Sequence, residues 1–233
     1  EIKRFDWMRG YHVGGRSIMW GRHSYRWSDI DFEANKKDGI AVDWPVRYKD
    51  IAPWYDKVES YIGVSGENLG LEQLPDGQFG PMMELNCVEQ TLREKVSENF
   101  NGRVVTAGRV AHITGDKQFD GRSKCQFRNR CIRGCPFGAY FSSNSSTLPA
   151  AERTGNLTLR PDTQILMQSK SDRFPNGLGN DSDQLGRNIM DHQLGVGANG
   201  KFDGFEDKYY KGRKPNGVYI PRFRNLGGDT DRK

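Results

Sequence analysis

Apolar and aromatic side chains return at a spacing near 3.6 residues through the stretch from Tyr48 to Gly63. They fall at Ile51, Trp54, Tyr55, Val58, Tyr61 and Ile62, which predicts an amphipathic helix. Asp43-Trp44-Pro45 leads into it, Pro53 is placed in its first turn, and Gly63 reads as its C-cap. A second helix is predicted from Cys87 to Phe100, with Val88, Leu92, Val96 and Phe100 on one stripe and Cys87 as a small core residue. Val104–Ile113 reads as a short strand in which His112 is a packed histidine, and Leu157–Arg160 reads as another strand.

Between these elements the chain is rich in turn chemistry. Residues 67–83 carry enough Gly and Pro to be a loop, and 174–180 form a turn cluster. The stretch 137–151 is small and hydroxyl-rich, and 195–233 reads as loops with short β pieces. Asp162–Ser169 is odd, because it has no turn chemistry where a turn is expected after the preceding strand. No internal repeat is present.

Composition narrows the class. The chain has 233 residues, enough for one large domain or two small ones, but only 35% are hydrophobic and 28 are Gly, so the core is modest and loops are extensive. An aromatic content of 11% argues against disorder. The net charge of +5 comes without a long basic run, which disfavours nucleic acid, and no apolar stretch approaches the ~20 residues of a membrane span. Glu1 in place of an initiator Met, with no signal peptide, is what the interior of a longer protein would present.

Two stretches carry candidate chemistry. Val13-Gly14-Gly15-Arg16-Ser17-Ile18-Met19-Trp20-Gly21 pairs glycines with a serine, so that backbone can approach a ligand closely; most such pairs are nevertheless only turns. The Arg and aromatic residues around it, among them Trp7, Tyr11, Arg22, Tyr25 and Trp27, suit a flat polar ligand or an ordinary packed surface. The second stretch holds three of the four cysteines, Cys125, Cys131 and Cys135, spaced C-x5-C-x3-C and followed by Pro136. A disulfide would strand one of them, and zinc asks for a fourth ligand and usually shorter knuckles. Three thiolates on a short loop with a Cys-Pro end suit an iron–sulfur cluster of the [3Fe-4S] type. Arg122, Lys124, Arg128, Arg130 and Arg133 surround the loop, as stabilising charge for an anionic cluster or as a solvated face.

Taken in order, VGGRSIMWG, WPVRYKDIAPWYDKVESYIGVSG, CIRGCPFGAY, STLPAA, RFPNGLGN and GRNIMDH resemble the glucose–methanol–choline (GMC) flavin oxidoreductases. Within that family the chain looks most like bacterial sugar dehydrogenases of the glucoside 3-dehydrogenase, fructose dehydrogenase and FAD-glucose dehydrogenase type. The resemblance implies an α/β (α+β) fold, a GMC-type FAD-binding domain plus an antiparallel-sheet substrate domain, here incomplete and loop-rich. Residues 1–40 and 151–194 would belong to the FAD-binding domain, 41–120 to a helical substrate-domain segment, 121–150 to the cluster loop, and 195–233 to the substrate-binding domain.

The same resemblance implies iron ligation by Cys125, Cys131 and Cys135, and an FAD lying along Val13, Gly14, Gly15, Ser17, Trp20 and Gly21. Met19 stands where some relatives carry a flavin-bonding His, so the FAD would be noncovalent. Asp191 and His192 would be structural or near the cofactor. The family's GxGxxG entry and its C-terminal His/Asn pair are not in these residues, so the catalytic residues are unknown, and the junction near Gln164 and Ile165 is where relatives run on through further strands. The implied activity is oxidation of a sugar or glycoside carbinol. A cytochrome c would be the electron acceptor and a small accessory subunit a partner. The location would be periplasmic, with membrane association only through partners. Two other readings stand beside it: a noncatalytic GMC-like assembly subunit, and a zinc-stabilised binding module.

Overall fold

A computed structural model describes residues 10–40, 42–161, 170–173, 175–177, 198, 200, 203–204, 217–224 and 226. Contacts divide the chain into two compact units, Glu1–Gly155 with Gly204–Lys233, and Asn156–Asp203. The described part of the first unit mixes helices with a small antiparallel sheet, which is compatible with the expected α/β class.

Two of its helices begin where side chains satisfy the free backbone N–H groups. Ser28 opens α1 (Asp29–Phe32): its Oγ accepts from the Ile30 N–H at 3.2 Å, while Asp31 Oδ2 accepts from the Ser28 N–H at 2.9 Å. A short α2 (Ala34–Asp38) follows. The same reciprocal cap at Asn86 and Glu89 starts α4 (Cys87–Asn99). The main helix, α3 (Tyr48–Ile62), ends as expected on Gly63 at φ 75°, a conformation that costs a residue with a Cβ about 1–2 kcal/mol.

The buried face of α3 differs from the predicted stripe. Trp54, Val58 and Tyr61 are about half exposed, whereas Ile62 and Glu59 are buried. Glu59 turns inward because buried Arg26 meets it: Nε donates to Glu59 Oε1 at 2.8 Å, Nη1 to the Tyr48 hydroxyl at 2.8 Å, and Nη2 also bonds Asp56. Pro53 is the sixth residue of the helix, beyond the first turn. On α4 only Val96 is buried, Phe100 is an exposed cap, and Cys87 is half-buried at the helix start rather than in the core.

The predicted strand 104–113 is the most buried stretch, but regular ladder is confined to β1 (Thr106–Ala107), paired antiparallel with β2 (Val218–Tyr219) in the register Thr106↔Tyr219 and Ala107↔Val218. Beyond Gly108 it makes single bridges, His23↔Val110, Ser65↔Val110 and His112↔Tyr140. Side chains alternate across it nonetheless. Val110 packs with Met83, Cys125 and Ala139, while Ala111 packs with Ile62 and Val64 and, at the edge, Trp20 and Phe141. Two small cores therefore lie on opposite sides of one extended segment. Leu157–Arg160, expected to be a strand, forms no ladder, whereas the end of the hydroxyl-rich stretch enters α5 (Thr147–Arg153).

Candidate functional site

The loop 121–140 is tied at its base by backbone hydrogen bonds. Cys125 N donates to Ile113 O at 2.8 Å, Ser123 N to Phe137 O at 2.8 Å, and Ile113 N to Ala139 O at 3.0 Å. Between these anchors the chain bulges around a cavity of about 240 Å³, lined by residues 125–131 and 133–137, all three loop cysteines among them.

Among the described residues, two of the three non-glycine positions with left-handed backbone, Phe127 and Asn129 (each φ 50°), lie in this bulge, as does Gly134 at φ 95°. A bulky residue held at positive φ signals strain that the surrounding structure imposes. Here it aims the Phe127 N–H at Cys125 Sγ, 3.4 Å away. All four cysteines are free thiols. Burial pushes the Cys125 thiol up, opposed by that N–H; burial raises Cys131 as well, opposed by the Arg22 guanidinium.

Two residues outside the loop complete the surroundings. His112, read from sequence as merely packed, is 1% exposed and brings Nε2 to 3.8 Å from Cys131 Sγ, with Nδ1 left without a hydrogen-bond partner. Burial and then the nearby arginines, Arg22 first, push its pKa down to about 3, so the ring is neutral near pH 7. Arg22 sits at φ 64°, with Nη1 on Trp20 O and its guanidinium 4.5 Å from the Tyr140 ring centre. Of the five basic residues around the loop, Arg122 is buried; Lys124, Arg128, Arg130 and Arg133 are exposed. Among the described residues, no group of three His, Cys, Asp or Glu side chains is arranged to hold a metal ion. Cys125 and Cys135 belong to the Val110 core, Cys131 to the His112–Arg22 side, so the thiols line a space rather than meet at a point.

The glycine motif packs against a different segment. Gly14, at φ 96°, caps a single 3-10 turn, Gly15–Ile18. Ser17 Oγ donates to Gly14 O at 2.6 Å and accepts from Ser143 N at 2.9 Å; Asn144 Nδ2 donates to Val13 O at 2.9 Å. Trp20 Nε1 donates to Phe141 O at 3.1 Å, the rings edge to face. Val13 and Gly21 are exposed, and Gly14, Gly15, Ser17 and Trp20 half-buried. Gln164, Ile165, Asp191 and His192 lie outside the described residues.

A thiol-lined cavity and a glycine turn that ends four residues before Arg22 are the candidate ligand-binding features, and relatives of the chain are a dehydrogenase and oxidases. The chain is 26% identical over 232 residues to the fructose dehydrogenase large subunit of Gluconobacter japonicus, a match covering 79% of this chain and 41% of that protein. It is 28% identical over 186 residues to paromamine 6'-oxidase of Streptomyces fradiae, covering 76% and 32%. A third match, 6'''-hydroxyparomomycin C oxidase of Streptomyces lividus, is 27% identical over 133 residues and covers 55% and 24%. The chain is related to the GMC-type FAD oxidoreductases. It spans about two fifths of the first relative's length and less of the others. No family model matches.

Proposed function

We propose that this chain is part of an FAD-dependent sugar or glycoside dehydrogenase whose C-x5-C-x3-C loop carries a [3Fe-4S] cluster, with a cytochrome c as electron acceptor. The observation that carries the reading is the loop cavity: three free thiols line one space flanked by buried positive charge. When bound, the FAD supplies a hydride acceptor and the cluster a one-electron carrier. Cys125, Cys131 and Cys135 would each hold one iron, which suits thiols spread around a space. The Phe127 N–H would then hydrogen-bond a ligating sulfur, as such N–H groups do where they tune these centres. The turn Gly14–Ser17 and Trp20 would border a noncovalent FAD, Met19 offering no nitrogen for attachment. On this reading 1–40 and 151–194 serve the flavin, 121–150 the cluster, and 41–120 with 195–233 the substrate side. The enzyme would work in the periplasm, held at the membrane by its partner subunits.

The test is Cys131→Ser in the intact protein. Sugar should still bleach the flavin while cytochrome reduction falls steeply; an unchanged rate of cytochrome reduction refutes the relay. A second reading has one observation in its favour. His112 Nε2 and Cys131 Sγ are separated by close to the ~3.5 Å that two ligands of a tetrahedral zinc would show, with bonds of about 2.3 and 2.0 Å. Metal analysis decides: zinc without labile sulfide supports that module, iron with sulfide the cluster.

A further inference from the structure

Four arginines are more than nine-tenths buried in the described structure: Arg22, Arg26, Arg109 and Arg122. A buried guanidinium without a counter-charge is disfavoured by several kcal/mol, so each calls for an anion. Arg26 has Glu59 and Asp56, and Arg109 has Asp76 at 3.3 Å. Arg22 and Arg122 have no carboxylate within ion-pair distance among the described residues. Each keeps one N–H without a partner, Nε of Arg22 and Nη1 of Arg122, as paired Arg109 also does at Nε, so the contrast between the two pairs is the carboxylate.

These two exceptions are the two that flank the cysteines. Arg22 lies against Cys131 and over the Tyr140 ring. Arg122 donates to Gly138 O at 2.9 Å and Ala139 O at 3.3 Å, the backbone just past Cys135. Arg26 and Arg109, equally buried, stand elsewhere and are paired. Among the described groups, the source of negative charge beside both arginines is the thiol-lined cavity. Three thiolates outweigh the charge of an iron–sulfide core, so the assembly they hold is anionic, and more so when reduced.

Resting on the cluster reading above, we infer that Arg22 and Arg122 are the counter-charges of the group held by Cys125, Cys131 and Cys135. They act as positioning residues that raise its reduction potential, while the exposed bases of the loop contribute little. A fixed buried cation stabilises the more negative state, whereas exposed charges are screened by water and salt. Neither arginine is a ligand.

The experiment is an EPR-monitored redox titration of the intact, anaerobically purified protein, with iron and acid-labile sulfide measured on the same samples. The variants are Arg22→Gln, Arg22→Lys, Arg122→Gln, Arg122→Lys and, as an exposed control, Lys124→Gln. Each Gln variant should shift the reduced-to-oxidised ratio at fixed potential at least tenfold toward oxidised, about 59 mV for a one-electron couple. The Lys variants should recover most of that shift, and Lys124→Gln should match wild type. Iron lost from the Gln variants but kept in the Lys variants also supports the inference, since charge is then what retains the group. Iron and sulfide intact with potentials unmoved in both Gln variants overturns it, as does equal loss from Gln and Lys variants, which would make the role one of shape. Wild-type protein without iron and sulfide overturns the cluster reading itself and the inference with it.

Discussion

Gly14→Ala is expected to destabilise the first compact unit by about 2–3 kcal/mol, through two separable effects. Gly14 holds φ 96°, where a residue with a Cβ is strained by about 1–2 kcal/mol. A Cβ built there would also overlap Asn144 Oδ1 and stand 2.9 Å from its Cγ. The Asn144 side chain is exposed and can swing away, but it then gives up the bond from Nδ2 to Val13 O, about 0.5–1.5 kcal/mol. Asn144→Ala separates the effects: alone it loses only the hydrogen bond, and in its background Gly14→Ala meets only the backbone strain. The double mutant should therefore be more stable than the sum of the two single changes by about 0.5–1.5 kcal/mol. Denaturant midpoints followed by tryptophan fluorescence measure the cycle, Trp20 being bonded to the same 141–144 segment. Retained flavin, assayed on the same variants, reports whether the turn serves a ligand as well as the fold. A Gly14→Ala change below about 0.5 kcal/mol, or strict additivity of the pair, would refute the reasoning.

Arg26→Met should cost about 3–5 kcal/mol, because it strands Glu59, while Arg153→Ala, which removes a pair 55% and 74% exposed, should cost under about 1 kcal/mol; unfolding midpoints compare them. Similar losses for the two would contradict the ranking by burial. Burial, with Tyr219 stacked 4.3 Å away, pushes Tyr25 up to about 12. Between its unfolded value near 10 and about 12 the unfolded chain has lost a proton that the folded chain keeps, so stability should fall as pH rises through that window. Tyr25→Phe should flatten that alkaline limb and remove one late-titrating phenol from the absorbance titration; an unchanged limb would show that other groups govern it.

How much of this could be read from the chain depends on how local each cause is. The extent of α3 and its Gly63 cap follow from spacing and backbone chemistry within a few residues. Its buried face does not, because Glu59 is turned inward by Arg26, 33 positions away, and periodicity counts a glutamate as polar. The capping boxes at Ser28 and Asn86 were written in the sequence as S-x-x-D and N-x-x-E; the first marks the start of α1, which apolar periodicity does not reveal in so short a helix. The cysteine spacing pointed to the loop, and the cavity lies there. Its basic residues look alike in sequence, however, and burial separates Arg122 from its exposed neighbours. Arg22 reads in sequence only as part of a ligand-facing or packed surface and His112 only as packed; nothing in the sequence links either to Cys131, since their approach is made by strand pairing at Val110 and Tyr140 rather than by any motif.

Arg22 poses the sharpest energetic question in the molecule. Its φ of 64° is one that glycine would adopt freely and that costs arginine about 1–2 kcal/mol. Burying its charge adds a penalty of several kcal/mol. Against these stand a charged hydrogen bond to Trp20 O, about 1.5–3 kcal/mol, and a desolvated cation–π contact with Tyr140, about 2 kcal/mol. The visible returns fall short of or only match the costs, and a glycine would avoid both penalties together. What arginine adds at this position and glycine cannot is a fixed positive charge beside Cys131, held by the chain that leaves the Trp20 turn. That charge repays its cost only when the sulfur beside it is anionic, and burial alone raises the Cys131 thiol toward its neutral form. On the proposed cluster reading, the arginine and the thiol each resist the environment the other is in until a metal group binds the sulfurs, which would tie the stability of this part of the fold to that group.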